Sequence, residues 1–320
     1  MLYPLKLEAP LKDYLWGGTL LKEKYNKHTS LDKVAESWEL SCHKDGESRI
    51  TNGVASGQKL SAYIKEKGAG ILGKKAEAFS YFPLLIKLID AKDNLSVQVH
   101  PENEYALRVE GEYGKTEMWY IVDCEPGASL LYGFKKNISQ EEFRRRIEDN
   151  TLLEVCNDVP VKKGDVFFIE AGTLHAIGKG ILIAEIQQNS NTTYRIYDYD
   201  RKDKDGNTRE LHVDKAVDVT CLKPAKKTMT AEKISFFADY EMKLLSVCEY
   251  FSVYHFSLHG CCNLTAGEES FQAITVLSGQ LTLEYNGEVL KLLQGDSVFI
   301  PAAMGAYHVC GRGEYLLTML

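Results

Sequence analysis

The sequence predicts a mainly β protein: two tandem jelly-roll β-barrels, the first carrying helical insertions. Three observations support this. Strand-like apolar runs outnumber helical ones in the first part, and from Phe236 onward the chain reads as nearly all strand. Turn signals recur there at Ser278-Gly279, Asn286-Gly287 and Gly295-Asp296. A weak internal repeat relates Gly164-Asp-Val-Phe-Phe-Ile-Glu-Ala-Gly-Thr-Leu-His175 to Gly295-Asp-Ser-Val-Phe-Ile-Pro-Ala-Ala-Met-Gly-Ala-Tyr-His308. Each copy has a Gly-Asp turn, an apolar strand ending in Ile, a small-residue turn and then His.

The elements follow in order. Residues 35–40 and 48–50 read as short strands. Residues 59–67 and 71–79 read as surface helices separated by a Gly-Ala-Gly break. Residues 82–90 and 95–100 are apolar enough for core strands. Residues 102–110, after Pro101, form a helix, and 117–123 a strand. Ser139-Gln-Glu-Glu142 fits a capping box: its hydroxyl takes an orphan amide and its Glu reaches back. Residues 141–150 are therefore a helix with a charged outer face. Strands return at 161–169, 181–188 and 193–197, then a helix at 211–221 and a connector at 223–227 with Pro224. The first barrel thus spans 1–230, with insertions at about 57–80, 102–112, 139–157 and 211–221, and a smaller barrel spans 231–320.

Charge narrows the partners. The 320 residues carry 38 Lys+Arg against 45 Asp+Glu, a net charge of −7. The longest basic run, Arg144 to Arg146, sits among acidic residues, which argues against a nucleic-acid partner. No segment approaches the roughly 18 apolar residues of a membrane span. The N-terminus lacks the apolar region of a secretory leader. The eight cysteines are scattered with no CxxC pair; only Cys261 and Cys262 lie close, and adjacent residues seldom bridge. The expectation is a cytoplasmic protein with reduced, mostly buried thiols.

The most informative segment is Leu95-Ser-Val-Gln98-Val-His100-Pro101. Side chains alternate on a strand, so Gln98 and His100 face one way while Val97 and Val99 face the other. An inward polar pair needs partners. Glu117 and His175 are candidates, and the four make a Gln/His/Glu/His set. Two imidazoles, one carboxylate and a neutral carbonyl oxygen suit a borderline divalent ion such as zinc. Water completing the shell gives a site of the catalytic type, and a single carboxylate leaves it net positive, able to polarise a substrate oxygen. His28, His43, His212, His255, His259 and His308 have no comparable setting and read as structural or solvated. The second barrel has no matching set: Phe271-Gln272-Ala-Ile lacks His-x-His and His308 stands alone.

These residues resemble a known family. Tyr14-Leu-Trp16-Gly-Gly, Ala35-Glu-Ser-Trp38, Leu95-Ser-Val-Gln-Val-His-Pro101, Lys115-Thr-Glu117-Met, Ala171-Gly-Thr-Leu-His-Ala176 and Glu185-Ile-Gln-Gln-Asn-Ser-Asn-Thr-Thr-Tyr-Arg195 are similar, in order, to the type I mannose-6-phosphate isomerases of the short bacterial branch. The resemblance implies two tandem cupin-like barrels and an enzyme interconverting mannose 6-phosphate and fructose 6-phosphate with one zinc ion per chain. It implies Gln98, His100, Glu117 and His175 as the zinc ligands. It places the family's active-site lysine on Lys115, its arginine on Arg195, and a further lysine proposed for acid–base chemistry on Lys87. Trp16, Ser96, Lys115 and Arg195 are the candidate substrate-binding residues. Two features depart from the family's pattern: Thr116 stands for the usual proline, and Asn191 and Thr192 stand where many members have Asp-Asn. The insertion at 102–114 spaces the ligands more widely than the general cupin pattern does, as in this family.

Aldose–ketose isomerisation moves a proton between C2 and C1 through an enediol. It needs a base, a way to stabilise the oxyanion and a grip on the phosphate. Arg195 can bind phosphate or steady the oxyanion. Lys87 serves as base if burial and a nearby metal depress its pKa, and Glu185 is its rival. Packing alternatives stand beside these: Lys87 as a snorkelling strand lysine, Trp16 and Trp38 as core or pocket-wall aromatics, and the stretch 201–206 as a charged loop. Two other functions would show themselves differently. A metal-dependent oxygenase would consume oxygen with iron; a non-catalytic sugar-binding protein would leave mannose 6-phosphate unchanged. The expected partner is a small sugar phosphate, and the expected state a monomer or weak homodimer.

Overall fold

The computed structural model describes residues 2–202, 205–225 and 234–320. Part of the expected connector at 223–227, the expected boundary at 230/231 and part of the loop at 201–206 lie outside the described residues. The chain is mainly β, as expected. The strands lie in sheets, none of which closes into a barrel among the described residues. No described helix is long and apolar enough to cross a membrane.

Two compact units form, and they do not follow chain order. One comprises Met1–Lys12, Thr19–Leu88 and Met229–Leu320. Its main sheet has ten strands, built on the long strands Gln272–Tyr285 and Gly305–Met319. The N-terminal strand Leu5–Glu8 joins it, pairing antiparallel with Ser297–Ile300 so that Leu5 faces Phe299. The core includes Val276, Leu283, Val298 and Tyr315, with the Phe256 and Tyr315 rings stacked at 4.8 Å.

The other unit comprises Asp13–Gly18 and Ile89–Thr228. One five-stranded sheet runs Cys156–Pro160, Ser129–Phe134, His175–Ile177, Val97–Val99, Tyr194–Tyr197. Val166–Ile169, Glu117–Cys124 and Ile181–Gln188 form an antiparallel set with Glu117–Cys124 central. Val97 and Val99 pack into an apolar cluster with Phe134, Phe143, Leu174, Ala216 and Val217. Helices Gln140–Glu148 and Val213–Val219 therefore cover the outer face of the five-stranded sheet. Deleting the fully buried Phe143 ring would cost about 3–5 kcal/mol. Only half the expected capping box forms: Ser139 Oγ accepts the Glu142 N–H at 3.0 Å, while the Glu142 carboxylate pairs with Arg146 one turn on.

Other differences have local causes. The helix expected over 71–79 is two 3-10 turns, Ala69–Leu72 and Lys74–Ala78. Gly73 divides them at φ +88°, where a Cβ would lie 2.5 Å from Ser270 N. Strands Ser129–Phe134 and Cys156–Pro160 went unread because Gly133, Asn157, Asp158 and Pro160 are turn-type residues. The expectation of eight reduced thiols is corrected. Cys261 and Cys310 face each other across strands Cys261–Ala266 and Gly305–Met319 and are joined in a disulfide. Spacing along the chain hid this, because the partners are 49 residues apart. Nor are the remaining thiols mostly buried: Cys156 and Cys262 are, whereas Cys42, Cys124 and Cys248 are half-buried and Cys221 is exposed.

The Gly-Asp turns of the internal repeat match bond for bond. Gly164 and Gly295 both sit at φ +88°. Asp165 Oδ2 accepts the Lys162 N–H and Asp296 Oδ2 the Leu293 N–H, at 2.9 and 2.7 Å. Gly164 N donates to Ile121 O and Ile121 N to Asp165 O; Gly295 N donates to Val276 O and Val276 N to Asp296 O. Two Gly-Asp turns thus lock to neighbouring strands in the same register.

Candidate metal centre

The chain reaches the centre by a detour. His100 ends the segment that begins with strand Val97–Val99, and the chain then leaves through helix Asn103–Val109. It returns to the same point: the Lys115 N–H donates to Pro101 O at 3.0 Å and the Gly114 N–H to Asn103 Oδ1 at 2.9 Å. A Cβ on Gly114 would lie 2.5 Å from Asn103 N and from Glu102 C, so only glycine closes this neck. The insertion that separates the ligands in sequence is a closed loop in space.

Strand alternation then fixes the faces. Gln98 lies opposite His175 on one neighbouring strand and Arg195 on the other. All three point away from the cluster that buries Val97 and Val99. Glu117 is paired with Ile169 on one side and Gln187 on the other, and Trp119 with Phe167 and Glu185.

His100, Glu117 and His175 form a buried group whose donor atoms all lie within 4.8 Å of one another. His100 Nε2 is 3.7 Å from Glu117 Oε2 and His175 Nε2 is 3.5 Å from Glu117 Oε1. Each imidazole holds a backbone carbonyl through its other nitrogen: His100 Nδ1 is 2.9 Å from Thr192 O, and His175 Nδ1 is 2.8 Å from Thr173 O. These carbonyls place the proton on Nδ1 and leave both Nε2 lone pairs aimed at the centre. Burial, and then the Lys115 charge, pushes the His175 pKa down to about 4, so its ring is neutral at pH 7. Gln98 Nε2 is 3.4 Å from His175 Nε2, and a half-turn of the amide sets its Oε1 there. Converging neutral imidazoles and one carboxylate fit a divalent ion. Among the described residues this is the single such cluster.

Lys115 is buried beside it, Nζ 2.8 Å from Glu117 Oε2 and 3.1 Å from His100 Nε2. Glu185 is buried and accepts the Trp119 indole N–H at 2.9 Å. Sequence reading passed over Trp119; its alternation with Glu117 was the available signal. The Arg195 guanidinium donates to Glu210 O at 3.0 Å, and burial, then the neighbouring Arg209 charge, lowers its pKa. Further along, Arg201 and Arg209 both grip Asp198, with contacts of 2.5 to 2.7 Å. Trp16 and Ser96 are buried in this unit as well. Lys87 belongs to the other compact unit, where it is buried with Nζ 3.7 Å from Glu36 Oε2 and 5.4 Å above the Trp38 ring.

Residues 4–120 match the family described as phosphomannose isomerase type I, catalytic domain, and residues 240–320 the mannose-6-phosphate isomerase cupin domain. The mannose-6-phosphate isomerase of Streptococcus mutans is 37% identical over 319 residues, covering 99% of this chain and 98% of that one. The chain belongs to the type I mannose-6-phosphate isomerases. The crystal structure of the Bacillus subtilis mannose 6-phosphate isomerase superposes with a TM-score of 0.91 at 34% identity, covering 99% of both chains. A mannose 6-phosphate isomerase solved with zinc and yttrium shares the fold at 17% identity, with a TM-score of 0.76 and 98% of both chains covered.

As a member of this isomerase family, the chain explains its own departures. The Thr116 N–H donates to Gln188 Oε1 at 3.0 Å, a bond no proline could make. Thr192 serves His100 through its backbone carbonyl, and its hydroxyl donates to Glu112 Oε2 at 3.4 Å. In the cupin domain, Gln272 pairs with Ile300 as Glu117 pairs with Ile169. Gln272 thus takes the carboxylate's register position, and its Oε1 accepts the Tyr307 hydroxyl at 2.6 Å. His308, which the repeat aligns with His175, is exposed and bonded to Asn263.

Proposed function

We propose that this protein interconverts D-mannose 6-phosphate and D-fructose 6-phosphate through an enediol, with one zinc ion held by Gln98, His100, Glu117 and His175. The observation that carries this is the buried His100–Glu117–His175 group, its donor atoms within 4.8 Å of one another, in a chain of the isomerase family. When bound, the ion supplies Lewis-acid polarisation of the oxygens on C1 and C2 of the open-chain sugar. A donor set with a single carboxylate leaves that role its positive charge.

The chain's own residues do the rest. Lys115, 2.8 Å from Glu117, offsets the buried carboxylate and offers a donor to a substrate oxygen. Glu185 and Lys87 are the two groups for moving the proton between C2 and C1. Glu185 is favoured, because it lies on the strand beside Glu117–Cys124, opposite Trp119, two residues from the position facing Glu117. Arg195, across from Gln98, grips the phosphate or steadies the developing oxyanion. Trp16 and Ser96 wall the substrate. A local cationic cluster of this kind suits a small phosphate even in a chain of net charge −7. The reaction belongs in the cytoplasm, because a phosphorylated sugar does not cross a bilayer unaided; the protein acts as a monomer or weak homodimer.

The test couples fructose 6-phosphate formation to a dehydrogenase, with metal analysis before and after chelation. Zinc-loaded protein should turn over mannose 6-phosphate, and Glu117→Ala should lose both metal and turnover. Zinc-loaded wild type that leaves the sugar phosphate unchanged would sink the reading. Glu185→Gln and Lys87→Met separate the two bases, the true one costing about 100-fold or more in kcat.

A further inference from the structure

We propose that Trp119 is a positioning residue for proton transfer, its indole N–H fixing the Glu185 carboxylate in place. The proposal rests on the reading of Glu185 given above. Trp119 follows Glu117 by two residues on one strand, so the two side chains share a face. Its strand partner there is Glu185, and the indole N–H reaches Glu185 Oε1 at 2.9 Å. The same ring meets His175 in a T-shaped contact, centroids 5.2 Å apart and planes at 83°. One rigid side chain therefore touches both a metal-ligand candidate and the carboxylate that moves the proton.

Packing alone does not ask for this arrangement. Trp119 is fully buried, and Phe would fill much of the same apolar space. A buried indole must find an acceptor, but a backbone carbonyl would serve it as well. Here the acceptor is a carboxylate that is itself 3% exposed. A glutamate has several rotatable bonds, and a charge-assisted N–H bond selects one orientation of its oxygens. The indole has a single donor and few conformers, so it sets that orientation with little freedom of its own. His175, pressed by the same ring, is held in a fixed relation to it.

Three variants test this: Trp119→Phe, Glu185→Gln and the double variant. The readouts are kcat and KM, zinc content, and the indole ¹⁵N–¹H spectrum. The chain has three tryptophans, so the Trp119 signal is the one missing from Trp119→Phe. In Glu185→Gln that signal should move upfield while those of Trp16 and Trp38 hold. Trp119→Phe should keep its zinc and lose about 10- to 100-fold in kcat, with KM little changed. In the Glu185→Gln background the same change should cost less than about twofold, because the group it positions is gone. A role in packing alone predicts the full loss in both backgrounds. That result, an unmoved indole signal, or wild-type kcat in Trp119→Phe or in Glu185→Gln overturns the proposal. If Trp119→Phe does not fold, the Glu185→Gln spectrum, which keeps the tryptophan, decides. A wild-type enzyme inactive on mannose 6-phosphate would instead defeat the functional reading, and the spectrum would still decide the contact.

Discussion

Tyr307 donates its hydroxyl to Gln272 Oε1 at 2.6 Å, and Gln272 holds the register position that Glu117 holds in the other half of the repeat. Where one half presents a carboxylate, the other closes a neutral amide onto a phenol, and the Gln272 Nε2 goes to Thr265 O at 3.1 Å. Tyr307→Phe leaves a buried acceptor without its donor and should destabilise the protein by about 1–3 kcal/mol. Zinc content should not change. Urea titration and metal analysis check the two parts, and loss of metal from this variant would contradict a purely structural cupin domain.

Gly114 closes the neck of the insertion between His100 and Lys115. An alanine there drives its Cβ into the backbone of Glu102 and Asn103, so the neck must open. Lys115 and Glu117 follow in the next residues and move with it. Gly114→Ala should weaken zinc binding by about tenfold or more while leaving the rest of the fold intact. Competition with a chromogenic chelator measures the first, far-ultraviolet circular dichroism the second. Unchanged zinc affinity would mean that the neck does not position the ligands.

Much of this centre was legible in the residues, for a physical reason. Period-two alternation is a local property, so the sequence by itself sets Gln98 facing away from Val97 and Val99. The capping serine and the Gly-Asp turns were equally local. What escaped depended on pairing between distant residues. Nothing in the neighbourhood of Cys261 announces Cys310, and nothing near Trp119 announces Glu185, because strand register creates both contacts. His308, by contrast, needed only its neighbourhood: with no His-x-His beside it, it reads as solvated, and it is exposed and bonded to Asn263. Strand Cys156–Pro160 was lost because its turn-type residues sit at a half-exposed sheet edge.

Asp198 ties Arg201 and Arg209 together in the segment that follows Arg195. Burial pulls its pKa up, but the Arg209 and Arg201 guanidiniums outweigh that and hold the carboxyl below its ordinary value of 3.8. A lowered acid pKa contributes stability that is complete above the unfolded value and fades as pH falls through the folded one. Asp198→Asn should therefore be less stable than wild type at pH 7, by about 1–3 kcal/mol. The difference should shrink only below about pH 3.8. It should also raise KM, because Arg195 lies close to the freed arginines. Melts at pH 7 and pH 3 test the sign: a gap that widens in acid would refute it.

The Cys261–Cys310 bridge joins residues directly opposite each other on paired strands. Closing a 49-residue span removes disorder from the unfolded chain, and loop-entropy arguments put the gain at about 2–4 kcal/mol. Neither cysteine belongs to the His100–Glu117–His175 group, so zinc content should not depend on the bridge. Wild type should melt at a higher temperature without reductant than with it, and Cys261→Ser should melt like reduced wild type under both conditions. Alkylation of the unfolded, unreduced protein should label six of the eight cysteines, leaving Cys261 and Cys310 to appear only after reduction. Labelling of all eight before reduction would show that the pair stays as thiols, and the melting difference should then vanish as well.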